Sequence, residues 1–169
     1  MQPTIPYLLF LVLMPLVGML FVMAAKDDDK TKGKNALKVA ALAVIADLLL
    51  ILRIFMLISL KYGKIQLLEV YKWLDTPQIA LRFGVDCFAL LLMFGIHVAV
   101  LIGLWGVRHE AEEQKARMVF TLLFLSMING FFTSVDIFSF FIFFEAMLLP
   151  LYMLVGIFGG VRRQGALFR

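Results

Sequence analysis

From Ile5 to Ala25 the chain carries no charged residue, and apolar runs of similar length return four more times before Phe158. About 20 such residues is what a helix needs to cross the hydrocarbon core of a bilayer. In lipid a backbone amide finds no water, so an isolated run of this kind has to close its hydrogen bonds within itself, as a helix does. The runs are separated by short charged stretches rather than by polar surface. With 63% apolar residues and a mean hydropathy of +0.97, the bilayer has to serve as the solvent. This excludes a soluble enzyme of one domain. The single cysteine, Cys87, leaves this chain no intrachain disulfide and no thiol-only metal site of its own, so no redox cofactor is expected on it.

The expected fold class is all-α integral membrane, one transmembrane domain over 1–169 with helices at about 5–25, 36–60, 82–107, 118–134 and 137–158. The first run competes with a secretory signal peptide, but no basic segment precedes it, and Pro15 and Gly18 are ordinary inside a membrane helix. A retained helix is the reading. Lys26 to Asn35 is a solvated charged loop. The second run contains Lys38, Asp47 and Arg53, and the longest connection, Lys61 to Ile79, mixes Tyr62, Tyr71, Trp73 and Pro77 with charges. Aromatics of that kind favour the membrane interface, so this stretch is expected to lie along the surface. Gly159-Gly160 and then Arg162-Arg163 close the fifth run. The chain shows no internal repeat.

Basic residues set the orientation, because Lys and Arg are retained on the cytoplasmic side during insertion. The first loop has four lysines, the third loop has Arg108, Lys115 and Arg117, and the tail has Arg162, Arg163 and Arg169. On the other side the N-terminus and the fourth turn have none, and the second loop has Lys61, Lys64 and Lys72. The N-terminus is expected outside and the C-terminus inside.

Ionisable residues within the runs are the functional candidates, since each costs about 3 kcal/mol or more to bury unless it is paired or hydrated. Glu145 lies nine residues beyond Asp136, about 13 Å into the membrane and near its midplane. No other charge stands between Ile137 and Phe158, so a partner has to come from another helix or another chain. Such a carboxylate is sensitive to burial and to nearby cations, which a proton relay requires. The bland alternative is a buried pair that locks helices together. Pro150 lacks an N–H and frees the carbonyl of Ala146 beside Glu145. Tyr152, seven residues on, offers a hydroxyl on the same face.

His97 in mid third helix can exchange protons near neutral pH, or can be a satisfied buried histidine. Ser126, Asn129 and Thr133 make one polar stripe on the fourth helix, which reads as interhelical glue. Asp47 and Arg53, six apart, do not share a face; each pairs elsewhere, or Arg53 snorkels outward. Asp86 and Asp136 stand at helix starts and read as caps.

The string Asp136-Ile-Phe-Ser-Phe-Phe-Ile-Phe-Phe-Glu145-Ala-Met-Leu-Leu-Pro150-Leu-Tyr152-Met-Leu-Val-Gly156-Ile-Phe-Gly159-Gly160 closely resembles the fifth helix of antiporter-like subunits of respiratory complex I, best the chain 4 or M type. Phe83-Gly84-Val85-Asp86, with Glu69 and Trp73 upstream, is similar to the M-type pattern before a Gly-Val-Asp-Gly box, where Cys87 replaces the second glycine. The resemblance implies a proton-translocating membrane-arm subunit of an NADH:quinone oxidoreductase, the glutamate at 145 being half of a lysine–glutamate pair. It implies NADH, FMN, iron–sulfur clusters and quinone in partner subunits, and an energy-transducing inner membrane of a mitochondrion or bacterium. The family has about fourteen helices, so this chain is expected to be incomplete relative to it. Either a second chain then supplies the remaining helices and the lysine counter-charge, or the protein is a truncated one. Other membrane-arm subunits and lipid are the further partners, and no nucleic acid is expected. Related subunits of cation/proton antiporters, membrane-bound hydrogenases and the photosynthetic relative of complex I share the glutamate motif, and a non-pumping structural remnant is a third reading.

Overall fold

A computed structural model describes residues 5–25, 34–58, 65–74, 79–106 and 114–158. Residues 26–33 of the first charged loop, Tyr62, Pro77, residues 107–113 and the basic tail of the sequence reading lie outside these residues, as does the side chain of Trp73. Lys34, Asn35, Lys115 and Arg117, expected in loops, are already helical. Five helices are long and apolar enough to cross a membrane: α1 (Tyr7–Ala24), α2 (Lys34–Leu57), α3 (Cys87–Gly106), α4 (Gln114–Thr133) and α5 (Ile137–Phe158). Successive helices alternate in direction. The chain is thus a multi-pass helical membrane protein.

The third helix begins later than the sequence suggested. Residues 82–85 are not helical but belong to a two-stranded antiparallel hairpin, β1 (Gln66–Leu74) and β2 (Ile79–Val85), within the stretch expected to lie along the surface. Its pattern has period two: Leu67, Glu69 and Tyr71 on β1 and Leu81, Phe83 and Val85 on β2 are turned inward, while Leu68, Val70, Lys72 and Arg82 are exposed or less buried. Glu69 pairs with Phe83 and Tyr71 with Leu81 across the ladder. The register shifts between Gln66 and Glu69, where Leu67 takes a left-handed backbone, φ 54°, as the extra residue of a bulge does. The hairpin lies across the end of the bundle formed by the starts of α1, α3 and α5 and the ends of α2 and α4. The α4–α5 connection continues it, with Ser134 bridged to Phe83 and the Val135 amide donating to the Arg82 carbonyl at 3.0 Å. Gly84 makes this approach possible, because a Cβ there would stand 2.5 Å from Ile65 Cγ2 and 2.7 Å from Val135 Cγ2.

Inside the bundle α4 is the central helix, packed on α1 and α5, with α2 against both α1 and α3. Two apolar clusters divide the interior. Leu8, Leu11, Ile51, Ile54, Phe83, Leu90 and Met93 fill the hairpin end, and Val22, Ala36, Ala40, Val44, Leu104, Met118, Leu122 and Leu125 fill the opposite end. Small residues set the close contacts, as membrane bundles require where lipid is as apolar as the core. Gly18 of α1 accepts Ala43 of α2 against its backbone, and Gly130 of α4 accepts the Phe143 ring of α5. Helix α5 packs on α4 through Phe140, Phe143, Phe144 and Phe158, and buries Ser139 and Pro150.

Candidate functional site

Helix α1 is held at both ends by charges of the sign its dipole demands. At its start Glu69 reaches up from β1, accepting hydrogen bonds from the Leu8 amide at 2.9 Å, the Leu9 amide at 3.1 Å and the Tyr71 hydroxyl at 3.0 Å. At its end the Lys115 ammonium donates to the Ala25 carbonyl at 2.9 Å. Both partners are far away in sequence. Tyr71 pays for the arrangement in acidity: burial, then its bond and proximity to the Glu69 carboxylate, push the phenol up to about 12.

Between the two apolar clusters stand the buried polar groups. Asp47 of α2, His97 of α3 and Asn129 of α4 are all wholly inaccessible. His97 Nε2 lies 2.7 Å from Asp47 Oδ2, and Asn129 Nδ2 donates to the same oxygen at 2.6 Å. His97 Nδ1 lies 2.8 Å from the Met93 carbonyl one turn back. The second hydrogen of Asn129 Nδ2 goes to the Leu11 carbonyl at 2.8 Å. That carbonyl is free because Pro15, four residues on, has no N–H to give it. Ser126 donates to the next carbonyl, Val12, at 2.7 Å. Four helices thus meet on one polar network.

The polar stripe of α4 therefore does bind helices together, through Ser126 and Asn129; Thr133 instead donates to the Asn129 carbonyl of its own helix at 2.7 Å. His97 is a buried histidine with both ring nitrogens engaged. Asp47 does pair on another helix, and Arg53 points out and is exposed. Sequence spacing placed these groups on three helices and had no means of joining them.

The helix-start aspartates are caps. Asp86 Oδ1 accepts from the Ala89 amide at 2.7 Å. Asp136 Oδ1 accepts from the Ser139 amide at 2.9 Å, and Oδ2 from the Ser139 hydroxyl at 2.7 Å and the Arg82 amide at 3.2 Å. Partial burial disfavours ionisation of Asp136, but the bonds from Ser139, Arg82 and Phe138 outweigh it and hold the carboxyl below its ordinary value. Asp136 thereby also ties α5 to β2.

Glu145 stands apart from this network. It lies eight residues after Ile137, about 12 Å along α5, on the face turned away from α4. It is exposed, as are Phe141, Leu148 and Tyr152 on the same side. Among the described residues its carboxylate has no hydrogen-bond or ion-pair partner, and Lys38 and Arg53 are exposed on α2. Pro150 is on the opposite, buried face, so Glu145 and Tyr152 share a surface that Pro150 does not. No cluster of metal-ligating side chains occurs among the described residues.

No family model matches the chain. It is similar to NADH-quinone oxidoreductase subunit M of Rickettsia prowazekii (strain Madrid E), 28% identical over 160 residues that cover 94% of this chain and 33% of that protein. It is 30% identical over 168 residues to the chloroplastic NAD(P)H-quinone oxidoreductase chain 4 of Mesostigma viride, covering 94% of this chain and 31% of that one. Among solved structures, a chain in respiratory complex I from Thermus thermophilus with bound NADH superposes with a TM-score of 0.74 at 23% identity, over 95% of this chain and 31% of that chain.

Five apolar helices around a polar core define the class as a multi-pass helical membrane protein, with the fold of a chain in respiratory complex I. Within that class the chain is similar, over 94% of its length, to subunit M and chain 4 of the quinone oxidoreductases, as the residues at 83–87 and 136–160 suggested. It spans about a third of the length of these relatives.

Proposed function

We propose that this chain is part of a proton-translocating membrane-arm subunit of an NADH:quinone oxidoreductase, with Glu145 as the group that takes up and passes on the proton. The observation that carries the reading is the position of Glu145: a carboxylate well inside a membrane helix, on a face the other four helices leave uncovered. An isolated ionised carboxylate facing lipid is too costly to keep. A protein partner that covers this face and supplies a cation resolves the cost. The partner proposed is a second polypeptide carrying further helices, with a lysine opposite Glu145. Tyr152, exposed on the same face, lies within the path toward the C-terminal side of α5, and the N-terminus is outside. NADH, FMN, iron–sulfur clusters and quinone belong to other subunits, in an energy-transducing membrane.

The test is photo-cross-linking from position 145 in the assembled complex, with identification of the captured peptide and of the co-purified subunits. The expected product is a peptide from outside residues 1–169 that bears a lysine, in a preparation containing flavin and iron–sulfur subunits. Capture of lipid alone, or of a cation-bearing peptide from within this chain, contradicts the reading. The chloroplastic relative keeps one neighbour in play, an NAD(P)H-quinone oxidoreductase of a photosynthetic membrane, and the same co-purified subunits separate the two.

A further inference from the structure

The Asp47, His97 and Asn129 cluster has a fixed proton count. A carbonyl oxygen only accepts, so the 2.8 Å contact between Met93 O and His97 Nδ1 places a hydrogen on Nδ1. The 2.7 Å separation of Nε2 and Asp47 Oδ2 then needs one further proton, because two lone pairs at that distance repel. The Asn129 amide donates to the same oxygen but cannot supply the proton on the histidine axis. With one proton between Oδ2 and Nε2, the cluster is neutral whether it reads as aspartic acid with imidazole or as aspartate with imidazolium.

Nothing nearby substitutes for that proton. On the enclosing helices Lys34, Lys38 and Arg53 are exposed on α2, α1 has no charged residue and α3 has none besides His97. On α4, Lys115 is held at the Ala25 carbonyl and Arg117 lies over the Phe158 ring. From the hairpin, Glu69 is taken up by the α1 amides and Tyr71. Removal of the proton would leave a net negative charge with no cation beside it among the described residues. The cluster also has two acceptors to spare: Asp47 Oδ1 and Asn129 Oδ1 are buried and accept no hydrogen bond from any described residue. Buried oxygens of this kind are satisfied by water in native structures.

We propose that Asp47, His97 and Asn129 form a buried proton-holding site, separate from Glu145, that keeps one exchangeable proton on the Asp47–His97 axis and binds water at Asp47 Oδ1 and Asn129 Oδ1. The site lies ten residues from the end of α2 and ten from the start of α3, about 15 Å from the hairpin end of each helix. It does not depend on the Glu145 reading and is testable without pumping.

The chain has two histidines, His97 and His109, so His109→Gln leaves His97 as the sole histidine signal. The 169-residue chain, labelled with nitrogen-15 histidine and placed in phospholipid vesicles, is examined by solid-state NMR. The expected spectra show Nδ1 protonated and an Nε2 signal displaced from that of a bare ring nitrogen. With the asparagine side chains also labelled, Asn129 receives magnetisation from water, and Asn129→Leu identifies and removes that transfer. Asp47→Leu removes the partner and leaves a bare ring nitrogen. An Nε2 signal identical to that of Asp47→Leu overturns the proton site. Absence of water transfer overturns the water, and spectra that change when sodium replaces choline assign the oxygens to a cation instead. If Asp47→Leu fails to fold, the Nε2 signal of the His109→Gln chain decides by itself, and the position of a bare ring nitrogen overturns the proton site.

Discussion

Glu69 carries two backbone amides and one phenol on a single buried carboxylate. Glu69→Ala leaves the first turn of α1 without its acceptor, and the expected loss is about 2 kcal/mol of stability, read from denaturant unfolding of the chain in detergent. Glu69→Gln keeps an acceptor and loses less. Tyr71 reports on the same contact by pH. Its folded pKa is raised, so the stabilisation it contributes is complete below pH 10 and disappears as the pH rises toward 12. A tyrosinate absorbance titration is expected to show a step near 12 that Tyr71→Phe abolishes. Asp136 has the opposite sign. Its folded pKa is lowered, so its contribution is present above the ordinary value of 3.8 and is lost as pH falls through the lower folded value. The caps at Asp86 and Asp136 were legible from sequence because each partner lies three residues away in the same helix. Glu69 and Asp47 were not, since their partners lie 61 and 50 residues away and no local rule spans that distance.

The hairpin is the element that sequence pattern missed, and the reason is its unusual inward face. Alternation on β1 places a glutamate and a tyrosine where an apolar residue marks a buried position, so the period of two was hidden. The five helices were legible because length and hydropathy dominate in lipid, though the start of α3 was drawn too early by the apolar residues of β2. Pro15 is another case. Its presence in a membrane helix was expected, but its consequence, a free Leu11 carbonyl met by Asn129, exists only once α1 and α4 pack. The α4–α5 contact rests on Gly130, whose missing side chain leaves room for the Phe143 ring. Gly130→Val is expected to cost about 1–3 kcal/mol through overpacking, with α5 loosened first. Cysteine accessibility along α5 measures this, and unchanged accessibility with unchanged stability contradicts the packing.

At the scale of the whole molecule, four helices share a polar network and the fifth is attached by one face. Glu145 lies on its other face, which is why its depth in an apolar run, and not packing within the chain, pointed to it. The placement of Pro150 on the buried side separates it from Glu145, whose carboxylate faces outward. Asp136→Asn is expected to reduce proton translocation less than Glu145→Gln, since asparagine caps a helix nearly as well as aspartate. An equal loss would make Asp136 part of the proton path. The most direct measurement is proton translocation per quinone reduced, in sealed vesicles containing the assembled complex with Glu145→Gln. Glutamine keeps the size and hydrogen bonding of the side chain but holds no titrating proton. The expected result is an assembled complex with a lowered ratio of protons translocated to quinone reduced, and a ratio equal to that of the wild type would contradict a proton-relay role for Glu145.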